Sequence, residues 1–117
     1  MTCTGKTSVL AVIGNPITHS VSPQIHNFML EKLKLDCIYV PLSLDTAHFD
    51  LAIKGLLKSS LKGFNVTVPF KEKIVPMVDC LDTSVDLIGA VNTVVYQDGQ
   101  WVGYNTDSQG FIFTLNE

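Results

Sequence analysis

Gly63-Phe64-Asn65-Val66-Thr67-Val68-Pro69-Phe70-Lys71-Glu72 sets the architecture of this chain. Its first six residues read as a strand whose apolar run is interrupted by the amide of Asn65 and the hydroxyl of Thr67. Pro69, with its φ preset and no N–H to satisfy, reads as the opening of a short helix with Lys71 in the first turn. A strand that runs directly into a helix is the unit of an α/β sheet. The positive field at a helix N-terminus opposes the charged form of a lysine, which suits an amine that passes protons.

The same alternation extends in both directions. Ser8-Val9-Leu10-Ala11-Val12-Ile13-Gly14 is a continuous apolar run closed by glycine, the pattern of a strand buried on both faces. A loop through Pro16 follows. Ser22-Pro23 then starts a helix, serine as N-cap and proline at the first helical position, with Ile25, Phe28, Met29 and Leu33 as its apolar stripe. Residues 37–42 form a second strand, which Pro41 assigns to an edge or an early end. Asp45 caps a helix carrying Phe49, Ala52, Ile53, Leu56 and Leu57. A further helical stretch covers residues 82–88. Strands at 91–96 and 101–104 flank Asp98-Gly99, a hairpin turn signal, and Thr106-Asp107 opens a last helix that includes Phe111, Ile112 and Leu115. The expected fold is a three-layer α/β domain: a mostly parallel sheet with one antiparallel hairpin, and helices on both faces.

The 117 residues are read as one domain, 1–117, and a hydrophobic fraction of 46% is that of an ordered chain. A net charge of −3 without a basic run excludes a nucleic-acid surface. No apolar run is long enough to span a membrane, and no secretion signal follows Met1. Cys3, Cys37 and Cys80 form no Cys-x-x-Cys pair. They read as reduced, buried small hydrophobes in a cytoplasmic protein. His19, His26 and His48 suggest no metal cluster.

In open α/β sheets, ligands sit beyond the carboxyl ends of the strands. That rule gathers Ser20 and Ser22 after the first strand, Thr67 and Lys71 after the third, and Asp107 after the last. Lys71 beside Asp107 can give a proton to an oxygen that gains charge, and take it back in reverse. Read from the residues alone, the two are equally a surface salt bridge, which is the commoner case. Ser20 and Ser22 beside a helix N-terminus can seat a carboxylate, or Ser22 can simply cap its helix. Asn65, Thr67 and Asn92 are polar residues among apolar strands, paired either by a ligand hydroxyl or by a neighbouring loop. Tyr39, Trp101 and Tyr104 read as packing residues, and His19 as a loop-stabilising one.

Four segments together resemble the shikimate dehydrogenase family. They are Gly14-Asn15-Pro16-Ile17-Thr18-His19-Ser20-Val21-Ser22-Pro23 with His26-Asn27; the 63–72 segment; Gly89-Ala90-Val91-Asn92-Thr93; and Gly103-Tyr104-Asn105-Thr106-Asp107 with Gly110. Their order and spacing cover residues 8–113. The resemblance implies reversible NADPH-dependent reduction of 3-dehydroshikimate to shikimate, in the route to aromatic amino acids. It implies that Ser20 and Ser22 hold the substrate carboxylate, that Asn65, Thr67 and Asn92 contact substrate, and that Lys71 and Asp107 are the catalytic pair.

The resemblance covers only the first domain of that family. The NADP-binding Rossmann domain has no counterpart here, and no Gly-x-Gly-x-x-Gly occurs. The chain is therefore expected to be a fragment that binds no cofactor, is inactive alone, and is prone to form homodimers through uncovered apolar surface. Three alternatives remain: a relative acting on quinate or an aminated shikimate, a stand-alone binding module for polyol acids, and a flavodoxin-like scaffold without a site.

Overall fold

The sheet is built around β1 (Ser8–Gly14), whose alternate side chains point to opposite faces. The computed structural model describes residues 2–107. After β1 come α1 (Ser22–Lys32), β2 (Cys37–Ser43), α2 (Phe49–Leu57), β3 (Leu61–Val66), β4 (Cys80–Leu81), β5 (Thr93–Gln97) and β6 (Gln100–Tyr104). The sheet has six strands in the order β2-β1-β3-β5-β6-β4. β1 runs parallel to β2 and β3, and β4 parallel to β6, while β3–β5 and β5–β6 are antiparallel. Helices flank both faces, giving the expected three-layer α/β fold.

Ala11 and Ile13 join the larger core with Phe49, Ile53, Phe64, Val66, Phe70, Ile74, Val94 and Trp101, on the α2 side. Val12 packs with Ile17, Tyr39 and Leu30 on the α1 side. A strand with apolar neighbours on both faces needs an unbroken apolar sequence, which is what residues 8–14 supply. The edge position that Pro41 implies is also found, with β2 outermost. The Asp98-Gly99 turn holds both central residues at positive φ, 51° and 79°, as a two-residue hairpin of matching twist requires.

Several expectations are corrected. The apolar stripe of α1 is not its buried face: Ile25, Phe28, Met29 and Leu33 are all more than half exposed. The helix instead turns His26, Asn27 and Leu30 to the sheet. Asn27 accepts from the backbone N–H of Tyr39 and donates to its C=O, both at 2.8 Å, and the His26 ring stacks on the Tyr39 ring at 4.2 Å. The amide thus occupies the open backbone positions of an edge strand. Asn27→Ala leaves both groups of Tyr39 unpaired and is expected to destabilise the domain by about 2 kcal/mol, read as a lower denaturation midpoint.

Pro69 opens no helix. The chain makes successive turns, then a 3-10 turn at Val75–Met77. Pro76 has no N–H to offer the Glu72 carbonyl, which accepts from Val75 instead at 3.2 Å. Lys71 is therefore not under a helix macrodipole. Residues 82–88 form a 3-10 turn at Thr83–Val85 capped by Asp82, followed by further turns, in place of a helix.

The sheet holds two antiparallel ladders instead of one. The Val66 N–H donates to the Asn92 carbonyl at 2.9 Å, so the chain re-enters the sheet at the edge where β3 leaves it and must run back. β4, only two residues long, is too short for any alternation to announce it. The cysteines are free but not fully buried, with Cys3 exposed. The last helix lies outside the described residues from 108 onward.

Candidate active site

Backbone hydrogen bonds between loops assemble the site at one edge of the sheet. The Thr67 N–H donates to Ile13 O at 2.9 Å and the Asn15 N–H to Val68 O at 3.1 Å, which ties the loop after β1 to the turn after β3. The Val91 N–H donates to Lys71 O at 2.8 Å and the Asn92 N–H to Tyr104 O at 3.0 Å, drawing in the start of β5 and the end of β6. Between these segments lies a cleft of about 400 Å³ lined by Ser20, Ser22, Asn65, Thr67, Lys71, Asn92 and Asp107, over a floor of Val12, Ile17 and Val66. All seven residues singled out in the sequence meet there. Five follow the carboxyl ends of their strands, and Asn65 is the penultimate residue of β3. Asn92 precedes β5 and reaches the same edge because β5 runs the other way.

The serines divide their work. Ser22 is the first residue of α1 and not its cap, and the Ser20 hydroxyl oxygen accepts from the Ser22 N–H at 3.2 Å. The Ser20 hydroxyl hydrogen is left for a ligand, and the Ser22 hydroxyl lines the cleft beside it. Two hydroxyls at the N-terminus of an 11-residue helix favour an anion.

Thr67 is set by Gly14. A Cβ on Gly14 would collide with Thr67 Cγ2 and come within 3.2 Å of both Ile17 Cδ1 and the Val68 carbonyl. The glycine therefore gives the Thr67 methyl its seat. Gly14→Ala is expected to cost about 1–3 kcal/mol and to displace Thr67, seen as a lower midpoint with a shifted Thr67 methyl resonance.

Lys71 follows Phe70, which is fully buried and stacks on Phe49 at 4.5 Å. Lys71 Nζ stands 3.7 Å from Asp107 Oδ2. That is an ion pair, but longer than the roughly 2.7–2.9 Å of a charge-assisted hydrogen bond.

The amides are held by a network the sequence reading missed. The Tyr39 hydroxyl donates to Asn65 Oδ1 at 2.7 Å. Asn65 Nδ2 donates to Thr93 Oγ1 at 3.1 Å and faces the Asn92 carbonyl at 3.4 Å. The Thr93 hydroxyl donates to Asn92 Oδ1 at 3.0 Å. Asn92 Nδ2 donates to Thr106 Oγ1 at 2.9 Å, and the Thr106 N–H returns a bond to Asn92 Oδ1 at 3.1 Å. Burial pushes the Tyr39 phenol up to about 12, against a smaller lowering by Ser22, so it remains a donor at neutral pH. Tyr39 is thus more than a packing residue. A phenol in the middle of an apolar strand, obliged to find a partner, was the available signal. His19 is exposed and does not line the cleft.

Among the described residues no cluster of His, Cys, Asp and Glu is suited to a metal ion. The sequence has no Gly-x-Gly-x-x-Gly, and among the described residues the positive-φ glycines, Gly89 and Gly99, lie outside the cleft.

The sequence matches, over residues 12–94, the family described as shikimate dehydrogenase substrate binding domain. It is 46% identical to a shikimate dehydrogenase (NADP(+)) of Geobacter metallireducens, covering 100% of this chain and 41% of that protein. It is 42% identical to the corresponding protein of Carboxydothermus hydrogenoformans, covering 100% of this chain and 42% of that one. The crystal structure of shikimate 5-dehydrogenase from Listeria monocytogenes in complex with shikimate and NAD superposes with a TM-score of 0.87 at 37% identity, over 97% of this chain and 39% of that one. The chain thus spans about 40% of the length of these relatives. With this sheet, this cleft and a family match across most of its length, the chain belongs to the shikimate dehydrogenase substrate binding domain family.

Proposed function

We propose that this domain is the substrate-binding and catalytic half of an NADP-dependent shikimate dehydrogenase, which interconverts 3-dehydroshikimate and shikimate. The observation that carries the reading is the meeting of Ser20, Ser22, Thr67, Lys71, Asn92 and Asp107 around one cleft. The relatives named as NADP(+) enzymes, and the Listeria protein bound to shikimate, support the choice of substrate and cofactor.

In this reading the Ser20 and Ser22 hydroxyls donate to the ring carboxylate at the positive end of α1. Thr67, Asn92 and the remaining lone pair of Asn65 Oδ1 take the ring oxygens. Lys71 protonates the carbonyl oxygen as the ketone becomes an alcohol, and in reverse the neutral amine receives that proton. The Asp107 carboxylate keeps the ammonium directed at this oxygen, and the 3.7 Å between them leaves room for a ligand oxygen to bond to both. The nicotinamide cofactor that exchanges hydride with the ring would be held by a separate dinucleotide-binding domain. The protein would work in the cytoplasm, and no helix among the described residues is long and apolar enough to cross a membrane.

Assayed alone with shikimate and NADP+, the 117-residue chain is expected to form no NADPH, whereas the complete polypeptide carrying a dinucleotide-binding domain does so. Turnover by the chain alone, or none by the complete polypeptide, contradicts the proposal.

A further inference from the structure

We propose that Tyr39, acting through the Asn65 amide, and Thr93, bonded directly to Asn92, are positioning residues whose hydroxyls hold Asn92 in the orientation that the Thr106 N–H selects, so that it presents an N–H donor, and not its side-chain carbonyl, to the ligand in the cleft. The inference rests on the reading of the cleft as a shikimate site and adds the polarity with which Asn92 reads the ligand.

Side-chain amides can flip, and hydroxyls can donate or accept, so a network of them has no intrinsic direction. Two backbone groups impose one here. The Asn92 carbonyl can only accept, so the group of Asn65 that faces it at 3.4 Å must be the NH₂. The Thr106 backbone N–H can only donate, so the Asn92 atom 3.1 Å from it must be the carbonyl oxygen. Asn65 Oδ1 is then an acceptor, and the Tyr39 hydroxyl must donate to it. Thr93 sits between the two amides. Its oxygen accepts from Asn65 and its hydrogen has one destination, Asn92 Oδ1.

The side-chain to side-chain bonds of the series Tyr39, Asn65, Thr93, Asn92, Thr106 therefore all point the same way, and only the Thr106 backbone N–H donates back, to Asn92 Oδ1. Aligned bonds of this kind polarise and strengthen one another. Asn92 Oδ1 is filled by Thr93 and Thr106, and one Nδ2 hydrogen goes to Thr106 Oγ1. The second Nδ2 hydrogen has no partner among the described residues, and Asn92 lines the cleft. A ligand oxygen can accept from it, while an ammonium group in the same place would meet a donor.

The origin of the series is rigid. Asn27 holds both backbone polar groups of Tyr39, and His26 stacks on its ring.

The test is calorimetric titration of shikimate into the 117-residue chain and into Thr93→Val, Thr93→Ser and Tyr39→Phe. Thr93→Val keeps the shape and loses the hydroxyl. It is expected to weaken binding about tenfold, and Tyr39→Phe about two- to tenfold, as loss of one hydrogen bond to an amide dictates. Thr93→Ser restores the hydroxyl and is expected to bind within about twofold of the wild type. Unchanged binding by both Thr93→Val and Tyr39→Phe, or failure of Thr93→Ser to recover affinity, overturns the inference.

A second readout needs no ligand. Exchange of the Asn92 side-chain NH₂ protons is expected to be about two- to tenfold faster in Tyr39→Phe and Thr93→Val than in the wild type, and wild-type-like in Thr93→Ser. Equal rates in all four proteins overturn the inference. If the wild type binds no shikimate but the exchange rates differ as expected, the shikimate reading fails and the positioning chain stands.

Discussion

Lys71→Ala, introduced into the complete polypeptide that carries this domain, is expected to lower kcat for shikimate oxidation about 10²- to 10⁴-fold, the range lost with a general acid–base group. Asp107→Asn is expected to act in the same direction, since it removes the charge that directs the ammonium. Neither substitution should change the melting temperature measurably. The side chains are 36% and 65% exposed and 3.7 Å apart, and an exposed pair of this kind contributes about 0–1 kcal/mol to stability. The loss of turnover at unchanged melting temperature separates a catalytic pair from a surface salt bridge, since a surface salt bridge would leave both readouts unmoved. Lys71→Arg is not expected to rescue turnover, because a guanidinium does not give up its proton in a protein.

The second large effect is on folding. Phe70→Ala is expected to cost about 3–5 kcal/mol, the range for truncating a buried aromatic side chain. A domain of ordinary stability has only about 5–15 kcal/mol in total. Phe70 is fully buried, stacks on Phe49, and its carbonyl accepts from the buried Ile74 at 3.0 Å. It also precedes Lys71 directly, so the same substitution is expected to loosen the turn that presents the amine and to weaken shikimate binding with it. Phe70→Leu refills part of the space and should recover much of the loss. A denaturant midpoint for Phe70→Ala equal to the wild type's would show that the turn is held by its backbone bonds alone.

What was legible in the sequence follows from which interactions act locally. The unbroken apolar run of β1, the edge proline of β2 and the Asp98-Gly99 turn each carry their constraint within a few residues, and each sits where expected. The polar residues of the cleft were legible because an amide or hydroxyl in an apolar strand needs a partner. α1 was misread because two stripes of the helix have helical spacing. Packing chose the one with His26 and Asn27, which can pair with the open edge of β2, over the more apolar one. The turns after Pro69 were misread because Pro76 lies seven residues further on, where its missing N–H cancels a helix that Pro69 would favour. Tyr39, Thr93 and Thr106 were missed as parts of the site because their hydroxyls act on amides from distant segments, 26 residues away for Tyr39 and Asn65. The free direction of β5 was set the same way, by the bond from Val66 to Asn92 across the mouth of the cleft.

The most direct test of the central claim is a titration of the isotope-labelled 117-residue chain with shikimate, followed by its amide resonances. The account predicts that the largest shifts fall on Ser20, Ser22, Thr67, Lys71 and Asn92, and that the Ser20 and Ser22 shifts vanish when the ligand is the same ring without its carboxylate. Shifts confined to the exposed face of α1 around Phe28 and Leu33, or none at ligand concentrations that saturate a complete shikimate dehydrogenase, would contradict it.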